Sequence, residues 1–431
     1  MIQYFYTSVM KQIQNIWAFL CTHRNVFFFL IIFVFFLFFH FYQLFLRADI
    51  GWDEIDVAQA AKSILVDKQF LLQGPPIKED TGLYMGPLYY YFSTPFYFFT
   101  HLDPIASPII AGVLSIFTFL TLFFVTKKLF GTNTALIAIF IDTFSFTLIT
   151  YERTQNTWQL IAPVSYLLFF FLYKVITGKE KYILYLALML GIAFQLDLTA
   201  IFYPVIILFT LPFFPRTKKT LWYTLLSLPI LLIFFFPIFY TLFLTKHGSG
   251  SATNLFQSSF LGLHLRRVLQ LTHDAFIQFI VIFQYNFLDY FDYLIPVVFG
   301  LLYYFQKPSK NRLLFIYLIA LWIIIPWIIL ATYGGELTVA YFDLPRNIFI
   351  AMLAYFTVFL FQRKNIFITC LVVIFWLQYA VSNFQLFMKP YTGNLLPTEA
   401  AVKVNAQIHA AIPWQDHAFR SYLYYIYTLK N

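Results

Sequence analysis

Apolar residues in this chain come in long continuous runs. The runs fall at about 26–46, 105–125, 132–150, 158–175, 182–195, 198–214, 221–244, 289–305, 313–332, 347–361 and 366–384. Many approach the ~20 residues needed to cross ~30 Å of hydrocarbon. A transmembrane barrel strand would alternate apolar and polar positions, whereas a continuous apolar helix satisfies its own backbone in lipid. The pattern predicts an all-α polytopic membrane protein of about eleven transmembrane helices. Residues 1–25 form a lead, 26–385 the transmembrane domain and 386–431 a short polar tail. Two segments between runs are long: 47–104, with amphipathic stretches, and 245–288.

Charge orients this pattern. Lys127/Lys128, Lys179/Lys181, Arg216/Lys218/Lys219, Lys307/Lys310/Arg312 and Arg363/Lys364 occupy alternate breaks, and most acidic residues occupy the others. The positive-inside rule then puts the N-terminus and these basic breaks in the cytoplasm. The two long segments and the tail lie outside. The net charge of +9 belongs to those breaks, so it does not argue for nucleic acid. Cys21 and Cys370 sit at opposite ends and imply neither a disulfide framework nor a metal site. The first apolar run is too long for a cleavable signal.

Chemistry concentrates beside the runs. Asp53, Glu54 and Asp56 follow the first run directly. Carboxylates suit the positive end of a helix, so a solvated start to an interfacial helix is one reading. The other is a reaction centre: a carboxylate desolvated at the lipid boundary becomes a stronger base. Tyr84 and Tyr89 flank the Gly86-Pro87 turn, either as an aromatic belt or as the wall of a cavity that stacks on a sugar. Glu152-Arg153 after the third run is a surface ion pair or a substrate contact. His247, His264, Arg266, Arg267 and His273 make the second long segment basic, which suits a solvated loop or an anionic head group. Arg346 opens the tenth run where the helix dipole opposes it, so it calls for a partner: Asp343 or a bound phosphate. Asp142, within the third run, reads as a buried group. There is no Walker loop, dinucleotide fingerprint, nucleophile elbow or His-Glu-x-x-His motif. Energy for a reaction would therefore arrive with the substrate, as a lipid-linked activated donor.

The stretch from Gly51-Trp52-Asp53-Glu54 to Tyr91, with its Gly-Pro-Leu-Tyr-Tyr turn, and the stretch Tyr151-Glu152-Arg153-Thr154-Gln155-Asn156 resemble the GT-C glycosyltransferases. The likeness points to the branch of dolichyl-phosphate-mannose protein mannosyltransferases and lipid A aminoarabinose transferase. Gln195-Leu196-Asp197-Leu198-Thr199-Ala200 is similar to a Gln-x-His-x-Thr-Ala stretch of that branch, with Asp197 in place of the histidine. The resemblance implies an inverting transfer of one sugar from a polyprenyl-phosphate donor to a hydroxyl of a glycan, lipid or protein, at the outer face of the plasma membrane. It implies Asp53 as general base, with Glu54 supporting it or holding the donor. Arg153 and Arg346 are expected phosphate contacts on grounds of charge and position alone. Tyr84, Tyr89, Glu152, Arg266 and Arg267 complete the expected substrate-side set. No cofactor beyond the lipid-linked donor is expected, and a divalent cation stays open. Two other functions fit the residues: a lipid-linked sugar flippase, and an O-antigen ligase or polymerase built on the 245–275 segment.

Overall fold

The computed structural model describes residues 24–44, 52–77, 84–103, 105–241, 264–281, 309–335 and 339–389, together with 298–300, 302 and 337. The expected lead, the expected eighth run, the tail and His247 lie wholly or mostly outside the described residues. Among the described residues the architecture is helical, with one isolated antiparallel bridge, Pro76 to Tyr84. In chain order the helices are α1 (Arg24–Phe41), α2 (Trp52–Leu65), α3 (Leu88–Phe99), α4 (Ala106–Phe130), α5 (Thr132–Phe144), α6 (Phe146–Glu152) and α7 (Ile161–Ile176). Then come α8 (Tyr182–Leu196), α9 (Phe202–Thr210), α10 (Lys218–Phe239), α11 (Leu265–Val281), α12 (Lys310–Ala331), α13 (Arg346–Gln362) and α14 (Ile366–Met388).

Among the described residues, six helices are long and apolar enough to cross a membrane. They are α1, α4, α7 with its leading 3-10 turn, α10, α12 and α14. A seventh span is counted if α5 and α6 are taken as one. Shorter apolar helices occupy Tyr182–Leu196, Leu198–Phe213 and Arg346–Gln362. Large apolar side chains stand exposed along α1 (Val26, Phe28, Val34), α10 (Leu232, Ile233) and α14 (Ile366, Phe367). Bare apolar surface on that scale fits contact with lipid tails.

Local sequence sets the boundaries. α4 ends at Gly131, whose φ of 93° is the left-handed region that glycine takes without strain. Lys127 and Lys128 lie in its last turn, where the dipole favours cations. Thr217, Ser309 and Asn365 cap α10, α12 and α14 by accepting backbone N–H bonds.

The third apolar run is not one straight helix. It breaks at Ser145, and α5 and α6 diverge by 74°. Ser145 is extended, and its hydroxyl accepts from Leu148 N at 3.3 Å to start α6. α14 supplies the rest of the repair. Tyr379 donates its hydroxyl to Ile141 O at 2.9 Å, and Asn383 Oδ1 accepts from Phe146 N at 3.0 Å. The break is therefore tolerated because side chains satisfy the backbone groups it frees.

α4 packs between α5 and α7, α8 lies between α7 and α10, and α5 carries α13 and α1. Aromatic rings fill the joints. Phe36 and Phe119 lie 4.6 Å apart, and Phe39 meets Phe144 edge-on at 5.5 Å. α2 and α3 pair with each other, and α3 also packs on α4 and α8, which places the acidic cluster.

Candidate active site

Asp53 and Glu54 lie in the first turn of α2, where negative charge complements the helix dipole. Asp53 and Asp56 are three apart, so they share a face. Ile55, Val57, Ala58 and Ala61 are buried and hold the helix down. Asp53 and Asp56 both line a cavity of about 550 Å³. The opposite walls are Asn156, Trp158, Asp197 and Tyr341, and the hairpin around Pro76 and Met85 forms another side.

That hairpin is set by backbone. Gly74 N donates to Met85 O and Met85 N to Pro75 O, both at 2.9 Å. Gly86 then passes against Gln195, and a Cβ on it would stand 1.8 Å from Gln195 Oε1. Gln195 has little room to yield. Its Oε1 accepts from Leu88 N at 3.3 Å, and its Nε2 donates to Phe234 O. The Gly-Pro turn is thus the point where the α2–α3 unit meets α8 and α10.

Asp53 is open to the cavity, yet protein surrounds it closely enough that desolvation raises its pKa. Asp56 is also raised, first by desolvation, while a hydrogen bond from the Tyr90 hydroxyl to Oδ2 works the other way and the charge of Asp53 adds to the rise. Asp197 is raised by burial, against the pull of Thr199 N donating to Oδ1 at 2.7 Å. It caps the 3-10 turn Leu198–Ile201. It also lines a second, smaller and more apolar cavity of about 80 Å³, alongside Leu198, Phe202 and Leu330. A carboxylate, two aromatic walls and a proton-hungry base around one cavity can bind a polyol and accept its proton.

The other expected site residues are placed differently. Glu54 is buried and does not line the cavity. Tyr89 lines it from a buried position, whereas Tyr84 forms the hairpin bridge outside the lining. The guanidiniums of Arg153 and Arg346, the expected phosphate contacts, are both engaged with the protein itself. Arg153 donates to Phe39 O at 2.7 Å, His40 O at 3.0 Å and Tyr42 O at 3.2 Å, and so closes the C-terminus of α1. Arg346 is buried, with Nη2 3.1 Å from Glu152 Oε1 and Nη1 3.3 Å from Asp343 Oδ2, over the Tyr151 ring at 5.3 Å. Glu152, expected at a surface, is buried beneath it, and its Oε2 lies 3.4 Å from His40 Nε2. Asp142 is buried, and neither of its oxygens has a hydrogen-bond partner among the described residues. Arg267 ties α11 to the loop after α12 through Tyr333 O at 3.2 Å and Gly335 O, while Arg266 is exposed; neither lines the cavity.

Sequence reasoning did not nominate Tyr90, Trp158, Tyr341 or His40. Tyr90 and Trp158 stood within or beside the quoted motifs, one residue from Tyr89 and two from Asn156. Tyr341 opens the stretch that carries Asp343 and Arg346, and nothing in the spacing marked His40. Among the described residues, no three His, Cys, Asp or Glu side chains come together as a metal-binding set.

Residues 86–240 match the family model for dolichyl-phosphate-mannose-protein mannosyltransferase. A comparison with curated proteins gives no match. Among solved structures, ArnT from Cupriavidus metallidurans bound to undecaprenyl phosphate is similar with a TM-score of 0.55, at 13% identity, over 94% of this chain and 76% of that one. The Archaeoglobus fulgidus oligosaccharyltransferase gives a TM-score of 0.58 at 12% identity, over 89% of this chain and 56% of that one. The same archaeal enzyme, AglB, in complex with an inhibitory peptide and a dolichol-phosphate, gives 0.53 at 12% identity, over 95% and 56%. This chain spans little more than half the length of the archaeal enzyme. Residues 86–240 thus resemble the dolichyl-phosphate-mannose-protein mannosyltransferase family, and over most of its length the chain has a fold similar to those of ArnT and the archaeal oligosaccharyltransferase.

Proposed function

We propose that the protein transfers one sugar, with inversion, from a polyprenyl-phosphate donor to a hydroxyl of a glycan, lipid or protein. The observation that carries this reading is Asp53, a desolvated carboxylate opening into a 550 Å³ cavity at the start of an amphipathic helix. The acceptor alcohol lies against Asp53 and gives up its proton as its oxygen attacks the anomeric carbon. The bond from that carbon to the lipid phosphate breaks from the opposite face, and the polyprenyl phosphate leaves. Glu54, buried behind Asp53, supports the helix start. The solved relatives were captured with undecaprenyl phosphate and with dolichol-phosphate, which supports a lipid-phosphate donor here. The apolar runs support about eleven spans in the plasma membrane, and the charge pattern of the breaks supports a cavity at the outer face.

The deciding experiment supplies purified protein in lipid with a radiolabelled polyprenyl-phosphate sugar and a hydroxyl acceptor. Wild type should form labelled product and Asp53→Asn should not. Movement of the lipid-linked sugar across vesicles without transfer would instead establish a flippase. Transfer indifferent to Asp53 but lost in Arg266→Ala and His264→Ala would establish a ligase based on the second long segment.

A further inference from the structure

We infer that the buried polar cluster of His40, Glu152, Asp343 and Arg346 is a positioning device that fixes the spacing of the cavity walls, with Arg346 at its centre. Three parts of the chain meet there. Glu152 ends α6, and four residues later Asn156 begins one wall. Asp343 and Arg346 stand just after Tyr341, which also lines the cavity. His40 lies in the last turn of α1, thirteen residues before Asp53.

The geometry favours a register over a simple charge pair. One planar guanidinium reaches carboxylates on two separate elements, 3.1 Å to Glu152 and 3.3 Å to Asp343, with its face on Tyr151. A fork of that kind fixes angles as well as distance, and a lysine ammonium does not reproduce it. His40 Nδ1 donates to Phe36 O at 3.0 Å, and its Nε2 lies 3.4 Å from Glu152 Oε2 without a hydrogen bond. Arg153, next in sequence to Glu152, clamps the same end of α1 through three carbonyls. Stability alone does not call for such a cluster. Burying charges is costly, and well-packed apolar replacements are often neutral or stabilising. What apolar packing lacks is a fixed angle, and a displacement of ~1 Å at a reacting centre can cost about 100-fold in rate.

The kinetic side of this inference rests on the proposed transfer reaction; the structural side does not. Two variants in lipid nanodiscs test it: the charge-free triple variant Glu152→Gln/Asp343→Asn/Arg346→Met, and Arg346→Lys, which keeps the charge and loses the fork. Thermal unfolding, hydrogen exchange over 154–160 and 339–345, and transfer kinetics are measured on each. In a triple variant that melts near wild type, amide exchange in both wall segments should rise at least ~10-fold. Arg346→Lys should raise it in the same two segments. Transfer should fall about 100-fold in kcat for the triple variant, with the KM for the lipid donor little changed. Wild-type exchange and kcat in Arg346→Lys would overturn the inference, even if the triple variant fails to fold. Should the wild type show no transfer at all, the functional reading falls, and exchange alone decides the positioning role.

Discussion

Asp53→Asn separates chemistry from folding at one atom. The substitution keeps the shape of the side chain and its place in the first turn of α2, and it removes the lone pair that would receive the proton. A general base contributes about 10²–10⁴-fold, roughly 3–5 kcal/mol of barrier. The expected loss is therefore of that size in kcat, with donor affinity nearly unchanged. Asp53→Glu keeps the base but moves the oxygens by about one methylene, which should cost near 100-fold through misplacement. Because desolvation raises the pKa of Asp53, transfer should decline on acidification while the pH is still above the ordinary aspartate value of 3.8. Stability should move the opposite way. A raised pKa means that the folded protein binds the proton more tightly than the unfolded chain does. The ionised form then weighs against folding at every pH above the raised value, and this penalty vanishes below the unfolded value. Asparagine carries no such penalty, so Asp53→Asn should melt at or slightly above wild type at neutral pH and show less gain in acid. Single-turnover transfer and thermal unfolding across pH measure both arms. Transfer by Asp53→Asn within tenfold of wild type, in protein that melts normally, would refute the assignment of the base.

Three further outcomes follow from the contacts. Tyr90→Phe removes the hydroxyl that holds Asp56 ionised, so Asp56 should titrate at higher pH in infrared difference spectra of aspartate-labelled protein, with Asp56→Asn as the assignment control; an unmoved titration contradicts the contact. Gly86→Ala drives a methyl into the Gln195 amide and should cost about 1–3 kcal/mol. Gly86→Ala/Gln195→Ala should recover part of that loss in thermal unfolding, and strictly additive effects would argue against the close approach. Asn383→Leu leaves Phe146 N without its acceptor at the helix break and should cost about 1–3 kcal/mol, read as a lower Tm with transfer kinetics retained in the folded fraction.

The helical class was legible because continuous apolar runs report directly on the solvent a segment meets. The acidic cluster was legible because three carboxylates beside a span are rare without a purpose, and two of them do face the cavity. Asp343 was also recoverable as a partner of Arg346, being three residues away on the same chain segment. Glu152 was not, since it meets Arg346 across 194 positions and no local pattern encodes that pairing. A Glu-Arg pair at the end of an apolar run reads as surface because short breaks are usually wet. Here the bend at Ser145 turns α6 inward and takes Glu152 with it. The bend escaped the sequence reading for the same reason: the groups that tolerate it, Tyr379 and Asn383, come from the last described helix. Tyr341 and Trp158 looked like any of the 8 Trp and 31 Tyr in an aromatic-rich chain, and only their arrangement around one space singles them out.

That distant repair has a consequence for how the protein is made. A chain emerges from the ribosome with its N-terminus first, so the broken span enters the bilayer well before Tyr379 and Asn383, which lie 238 and 237 positions beyond their partners. Until they arrive, Ile141 O and Phe146 N must borrow partners from water, from the insertion machinery or from a neighbouring segment. Maturation of the early half therefore waits on the late half. Shortened versions that stop before Ile366 should stay captive to membrane quality control, even though every residue of the cavity has already been synthesised.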